Sequence, residues 1–176
     1  MIERAATEVF AERGYQGAGM DEIARRSGVT PPVLYDHFDS KVDLFRRLLE
    51  RTRDELLAMW REHLGGGIPE GVEAWARYVE DHPFAARMYF QDPSGDAQVR
   101  DIHAEVTGSA RVALGALLGQ RPGGKEIAGA DELSLEMAAE VIRSALTGLA
   151  IWWIDHPEVP REKIVQTALN AVRWPG

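Results

Sequence analysis

The chain has 176 residues, no cysteine and a formal net charge of −8. That length buries roughly two-thirds of the unfolded surface and suits one domain or two small ones, while the missing cysteines exclude a disulfide framework or a thiolate site and fit a reducing cytoplasm. No continuous apolar run reaches the ~18 residues of a bilayer span, and the opening MIERAATEVFAERG lacks a signal peptide's basic and apolar regions, so a cytoplasmic protein with no membrane contact is expected.

In residues 2–13, Ile2, Ala5, Ala6, Val9 and Phe10 fall at helical spacing. Gly14 stops that helix, and a Schellman-type ending would bring Phe10 onto Tyr15. A second helix is expected over about 20–27, with Gly19 at its N-cap, Asp21 and Glu22 in the first turn where the macrodipole favours acids, and Ile23 and Ala24 inward. Gly28 then supplies the left-handed residue that ends it. Thr30 stands at the next N-cap with Pro31 at the first helical position, and Val29 and Leu34 have the spacing of a hydrophobic staple. Leu34 and Phe38 point inward at i and i+4, so Pro31, Pro32, Tyr35 and His37 lie on the free face. Ser40 followed by Asp43 reads as a capping box for the helix after that. Two helices joined by a tight glycine turn make a helix-turn-helix, whose second helix enters the DNA major groove.

The run GYQGAGMDEIARRSGVTPPVLYDHFDSK, with its LYDHFDSK ending and GV turn, resembles the N-terminal DNA-binding domain of the TetR/AcrR family of bacterial transcriptional regulators over about residues 2–49. The resemblance implies that Thr30, Pro31, Pro32, Val33, Tyr35 and His37 face DNA, that Lys41 meets a phosphate, and that the backbone beside Gly19 meets another at a helix N-terminus. The chain departs from the family's pattern at Gly19, where a Ser or Thr is usual, and at Pro31 and Pro32, where a basic or polar residue and a glycine often stand. Tyr35, His37 and Lys41 can donate to phosphates, which fixes register but reads no sequence. No Arg, Asn or Gln stands on this helix to make bidentate base contacts, which leaves thymine methyls for Val33 and the prolines, and groove shape for the rest. Residues 1–50 hold seven basic and nine acidic side chains, so non-specific phosphate attraction is weak.

The next pattern runs from Ser40 to about Leu64 and ends at Gly65-Gly66-Gly67; it bridges the two parts of the chain as one lever. Further helices are expected from Pro69 to His82, over 83–91, over about 95–119 after Pro93-Ser94-Gly95, over 131–154 and over 161–173, with 119–130 as a surface loop. No strand pattern or repeat appears. The fold class is all-α: a helix-turn-helix head at 1–45 joined by a long helix to a helical ligand-binding and dimerisation domain at 46–176.

The aromatic bulk of the middle, Trp60, Trp75, Tyr78, Phe84, Met88 and Tyr89 with His103 and Val106, marks the candidate ligand pocket, since such pockets are mostly apolar with few polar groups. The resemblance implies an inducer cavity there. It also implies a four-helix dimer interface from the last two helices, for which Val141, Ala145, Leu149, Trp152, Trp153, Val165 and Leu169 are the candidates. His37, His63, His82, His103 and His156 show no metal spacing, and no nucleophile or phosphate-loop motif occurs. No enzyme activity, metal or cofactor is expected. The reading is a homodimeric regulator, a repressor released from double-stranded operator DNA by an apolar or aromatic small molecule. The alternative is a helical small-molecule-binding dimer that has lost operator recognition.

Overall fold

The computed structural model describes residues 1–93, 95–120 and 131–171, with the side chain of Leu64 excepted. Among them every regular element is helical: α1 (Ile2–Gly17), α2 (Met20–Ser27), α3 (Pro31–His37), α4 (Lys41–His63) with a 3-10 turn at Leu64–Gly66, α5 (Ile68–Asp81), α6 (Pro83–Phe90), α7 (Ala97–Gln120), α8 (Glu132–Ile154) and α9 (Arg161–Ala171). The expected loop at 119–130 gives up its first two residues to α7. Its remainder, Ser94 in the preceding break, and residues 172–173 of the last expected helix lie outside the described residues.

The joints of the head follow from local chemistry. Gly14 adopts φ 65°, ψ 173° inside α1 and kinks it, with one further turn before the chain leaves. Across that kink Phe10 and Tyr15 stack, ring centroids 6.0 Å apart. Gly28 takes φ 70°. Its N–H donates to Arg25 O at 3.3 Å and the Val29 N–H to Ala24 O at 3.1 Å, the paired bonds of a Schellman ending. Thr30 holds the N-cap position of α3, but its hydroxyl makes no cap bond. An N-cap oxygen accepts from the second or third helical N–H, and proline at the second position leaves one such donor. At α4 the Ser40 Oγ accepts from the Asp43 N–H at 3.1 Å, while the Asp43 carboxylate reaches back to the Asp39 N–H at 3.2 Å rather than to Ser40.

Two apolar cores form. The first gathers Val9, Phe10, Ile23, Leu34, Leu44, Phe45 and Leu48, and continues through Leu56 of α4 into Tyr89 of α6 and Ile102 of α7. The head's core therefore does not stop at residue 45. The second core joins Trp60, Trp75 and Leu114 to Leu146 and Trp153 of α8 and Ile164 of α9.

By composition α8 is long and apolar enough to cross a bilayer, which a search for unbroken apolar runs passes over. In this fold Ala139, Leu146, Ala150 and Trp153 bury one side of it, and Glu140, Arg143, Ser144 and Thr147 line a cavity.

Candidate nucleic-acid interface and body cavity

Leu34 is fully buried and Phe38 nearly so, which fixes the rotation of α3 against the head. Its remaining residues, Pro31, Pro32, Val33, Tyr35, Asp36 and His37, are exposed, as are Thr30 and Gly19. Tyr35 is half exposed and takes no part in the core. Lys41, expected at a phosphate, is engaged within the head. Its ammonium donates to Tyr15 O and to Ala18 O, both at 2.9 Å, and sits 4.4 Å over the Tyr15 ring. Two of its three N–H groups thus tie α4 to the end of α1.

The head's arginines pair at the surface, mostly with its own acids. Arg13 lies 3.0 Å from Glu22, and Arg26 reaches Glu12 and Glu22, each at 2.8 Å, holding the Glu12 carboxyl below its usual range by donating to it. Arg25 stands 3.9 Å from the same Glu22. Arg47 pairs with Asp43 at 3.0 Å and covers the Phe38 ring, while Arg46 makes a two-pronged pair with Glu105 of α7 at 3.0 and 3.1 Å. The acidic surplus of the head is largely the partner set of its own cations, and the outer face of α3 stays without a cation.

In the body, α4, α5, α6, α7 and α8 border a cavity of about 710 Å³ that is open to solvent on one side. Its walls are apolar on the α4 side, at Leu56, Leu57 and Trp60, and polar where α7 faces α8. His103, Thr107 and Arg111 recur at i, i+4 and i+8 on α7, opposite Glu140, Arg143, Ser144 and Thr147 at i, i+3, i+4 and i+7 on α8. Arg143 donates to both oxygens of Glu140, at 3.0 and 2.6 Å, and lowers that carboxyl's pKa.

Of the eight expected pocket residues, Trp60, Trp75, Tyr89 and His103 line this cavity. Tyr78 and Phe84 lie instead on a second groove between α1, α4 and the α5–α6 corner, where the Tyr78 hydroxyl donates to Glu55, 2.9 Å away. Met88 and Val106 turn into the first core. The α8 stripe was missed in the sequence. Its signal is a set of polar residues at helical spacing inside a helix otherwise apolar all round.

His103 is buried, and its Nε2 lies 2.8 Å from Tyr89 O. A carbonyl can only accept, so that nitrogen carries the proton. Its Nδ1 is 3.5 Å from the exposed Asp92 carboxylate. Burial pulls the imidazole pKa below its usual value against the opposing pull of Tyr89 O and Asp92. Trp75 is almost wholly enclosed, and its indole N–H meets no hydrogen-bond partner among the described residues.

On α8, Val141 and Trp152 are exposed together with Leu133 and Met137, and Ala145 and Leu149 are half-buried. Trp153, expected at an interface, belongs to the protomer's own core: it is 5% exposed and donates from Nε1 to Val159 O at 2.8 Å. Val165 and Leu169 on α9 pack half-buried against that core. Among the described residues no group of three or more His, Asp or Glu side chains is placed to hold a metal ion.

Residues 2–48 match the family described as bacterial regulatory proteins, tetR family. The HTH-type transcriptional activator FasR of Mycolicibacterium smegmatis is 40% identical over 107 residues, 54% of this chain and 49% of that protein. The HTH-type transcriptional regulator UidR of Escherichia coli is 35% identical over 65 residues, 37% of this chain and 33% of that protein. The chain therefore spans about half, or less, of the length of the curated relatives it matches. Among solved structures, the fatty acid degradation regulator FadR from Bacillus halodurans superposes with a TM-score of 0.82 at 19% identity, covering 97% of this chain and 95% of that one. FadR from Bacillus subtilis, solved in complex with stearoyl-CoA, gives 0.77 at 17% identity over 97% and 94%. These likenesses establish the shared all-α fold.

Proposed function

From the match of residues 2–48 to the tetR family, we propose that the chain is a ligand-responsive transcriptional regulator of that family, a repressor that leaves its operator when a small molecule fills the body. The observation that carries this reading is the course of α4. One unbroken helix supplies Leu44, Phe45 and Leu48 to the core beneath α3 and Leu56, Leu57 and Trp60 to the cavity wall. A ligand that moves the far end of α4 moves the seat of the head, and by linkage operator DNA must weaken that ligand by the same factor.

The rest of the proposal follows from the surfaces. Thr30, Pro31, Pro32, Val33, Tyr35 and His37 form the DNA face, with the backbone at Gly19 beside it. The apolar ridge of Leu133, Met137, Val141 and Trp152, bordered by Ala145 and Leu149, is the dimer face, self-complementary about a two-fold axis. The two α3 helices of the dimer would then reach major grooves about 34–36 Å apart on a pseudo-palindrome. The effector is a molecule with a long apolar body and a polar end, the former against the α4 wall and the latter at the α7–α8 stripe. The stearoyl-CoA held by the similarly folded Bacillus subtilis FadR supports that shape. The protein acts on DNA in the cytoplasm, with no catalytic step of its own.

A gel-shift series against DNA upstream of the protein's own coding sequence, at low and moderate salt, tests the reading. Retardation by a dimer, relieved by a long-chain acyl thioester, is expected. A folded dimer that shifts no fragment at any salt would overturn it.

A further inference from the structure

We propose that Pro31, Pro32 and Val33 select thymine through its C5-methyl group and reject guanine, so that the operator half-site is A·T where the tip of α3 enters. This rests on the regulator reading above and adds to it what the helix reads.

The first turn of a helix ordinarily offers free N–H donors. At α3 the first two positions are prolines, which have none, and the Leu34 N–H is already spent on Thr30 O at 3.1 Å. The tip therefore presents CH groups, with the N–H of Val33 as the single free donor of that turn. No residue of α3 carries a guanidinium, ammonium or carboxamide. Of the neighbouring cations, Arg26 is held by Glu12 and Glu22, Arg47 by Asp43 and Lys41 by two carbonyls, while Arg25 stays exposed on α2, 3.9 Å from Glu22.

In the major groove guanine shows two acceptors, while thymine shows one acceptor and a methyl, the groove's apolar feature. Pressed on guanine, the tip would strip water from both N7 and O6 and return at most the single Val33 N–H, which leaves an acceptor unpaired and is unfavourable. Pressed on thymine, it buries a methyl against Val33 and the proline rings. Thr30 takes the complementary part. Its exposed hydroxyl has no cap bond and is free to hold a phosphate, which sets register without reading sequence.

The test starts from duplexes of random sequence enriched on the full-length protein, and replaces each thymine of the enriched half-site singly by deoxyuridine. Loss of the methyl at one or two positions is expected to weaken binding about fourfold each, the factor for one buried carbon. Val33→Ala, at an exposed position, should leave the melting temperature unchanged and abolish the deoxyuridine penalty at one of those positions. Pro32→Ala, which restores an N–H, should raise the acceptance of guanine there. Half-sites whose strongest positions are G·C, or a deoxyuridine penalty identical in the parent protein and Val33→Ala at every position, would overturn the proposal. Enrichment of no sequence at all would instead overturn the regulator reading, and the proposal with it.

Discussion

The head and the body are threaded by the same helix, α4, yet they use it in opposite ways. In the head its side chains close a core: Phe45 meets Phe10 and Tyr15 edge to face, centroids 5.1 and 5.2 Å away, and Leu44 and Leu49 are fully buried. In the body the same helix, about two to four turns later, borders about 710 Å³ of space, with an ion pair on the far wall and an indole N–H that has no partner among the described residues. A cavity forgoes the contacts its lining would otherwise make, so the body gives up stability that the head retains. The contrast separates a unit that must present one fixed face from a unit that must have room to change.

The sharpest way to break this contrast is to hollow out the head. Leu34→Ala removes the side chain that seats α3, at 0% exposure, and should cost about 2–5 kcal/mol in chemical denaturation, with DNA affinity lost before the body melts. A cost under about 1 kcal/mol would mean that the head is no better packed than the body. Gly28→Ala acts on the backbone alone. At φ 70° a Cβ should cost about 1–2 kcal/mol, although nothing lies within 4 Å of where it would stand. Gly108, in the interior of α7 and on the cavity wall, should respond with the opposite sign. Its φ is ordinary and a Cβ there also meets nothing within 4 Å, so Gly108→Ala should raise stability by about 0.5–1 kcal/mol through helix propensity. Gly108→Phe should fill the cavity and block effector release while leaving operator affinity intact in a gel shift. A destabilising Gly108→Ala would show that the body is closed in solution and would dissolve the contrast.

The same division explains what the sequence could show. The head is made of short-range rules. A glycine turn, a proline at a helix start and an i, i+4 pair each act within a few residues, and so the bounds of α2 and the Phe10–Tyr15 contact were readable in advance. The fate of Lys41 was not, because its partners are carbonyls 23 and 26 residues away, and no local pattern announces them. The body depends on which of two cores a side chain enters. Met88 and Trp75 look alike as aromatic-rich bulk, yet one turns toward the head and the other borders the cavity. Trp153 and Trp152 are neighbours with opposite fates, one in the core and one on the surface, because only the side of α8 that carries Leu146, Ala150 and Trp153 packs into the second core. The polar stripe of α8 is a periodicity of Glu140, Arg143, Ser144 and Thr147 set within a wide apolar surface, and which helix it faces depends on packing far along the chain.

The smallest expected effect concerns His103, and it sharpens the contrast because this titratable group is buried at the cavity, where the head's ionisable groups are paired at the surface. Four features act on the ring: burial and the Arg143 charge favour the neutral form, while Tyr89 O and the Asp92 carboxylate favour the charged one, and burial is the largest. The folded pKa thus lies below the usual 6.5. Between the two values the unfolded chain binds more protons than the folded one, so stability falls as pH drops below 6.5 and levels off once the folded form has titrated too. His103→Gln keeps a donor for Tyr89 O but cannot charge. Melting temperatures measured from pH 8 to pH 5 should therefore diverge, the parent protein losing more than the variant on the acid side, with the two curves parallel above neutrality. Curves parallel throughout would mean that the ring is wet, and that the cavity admits water freely enough to remove the cost of charging it. An effector that dries the cavity should push the divergence further, since it strengthens the burial that already dominates.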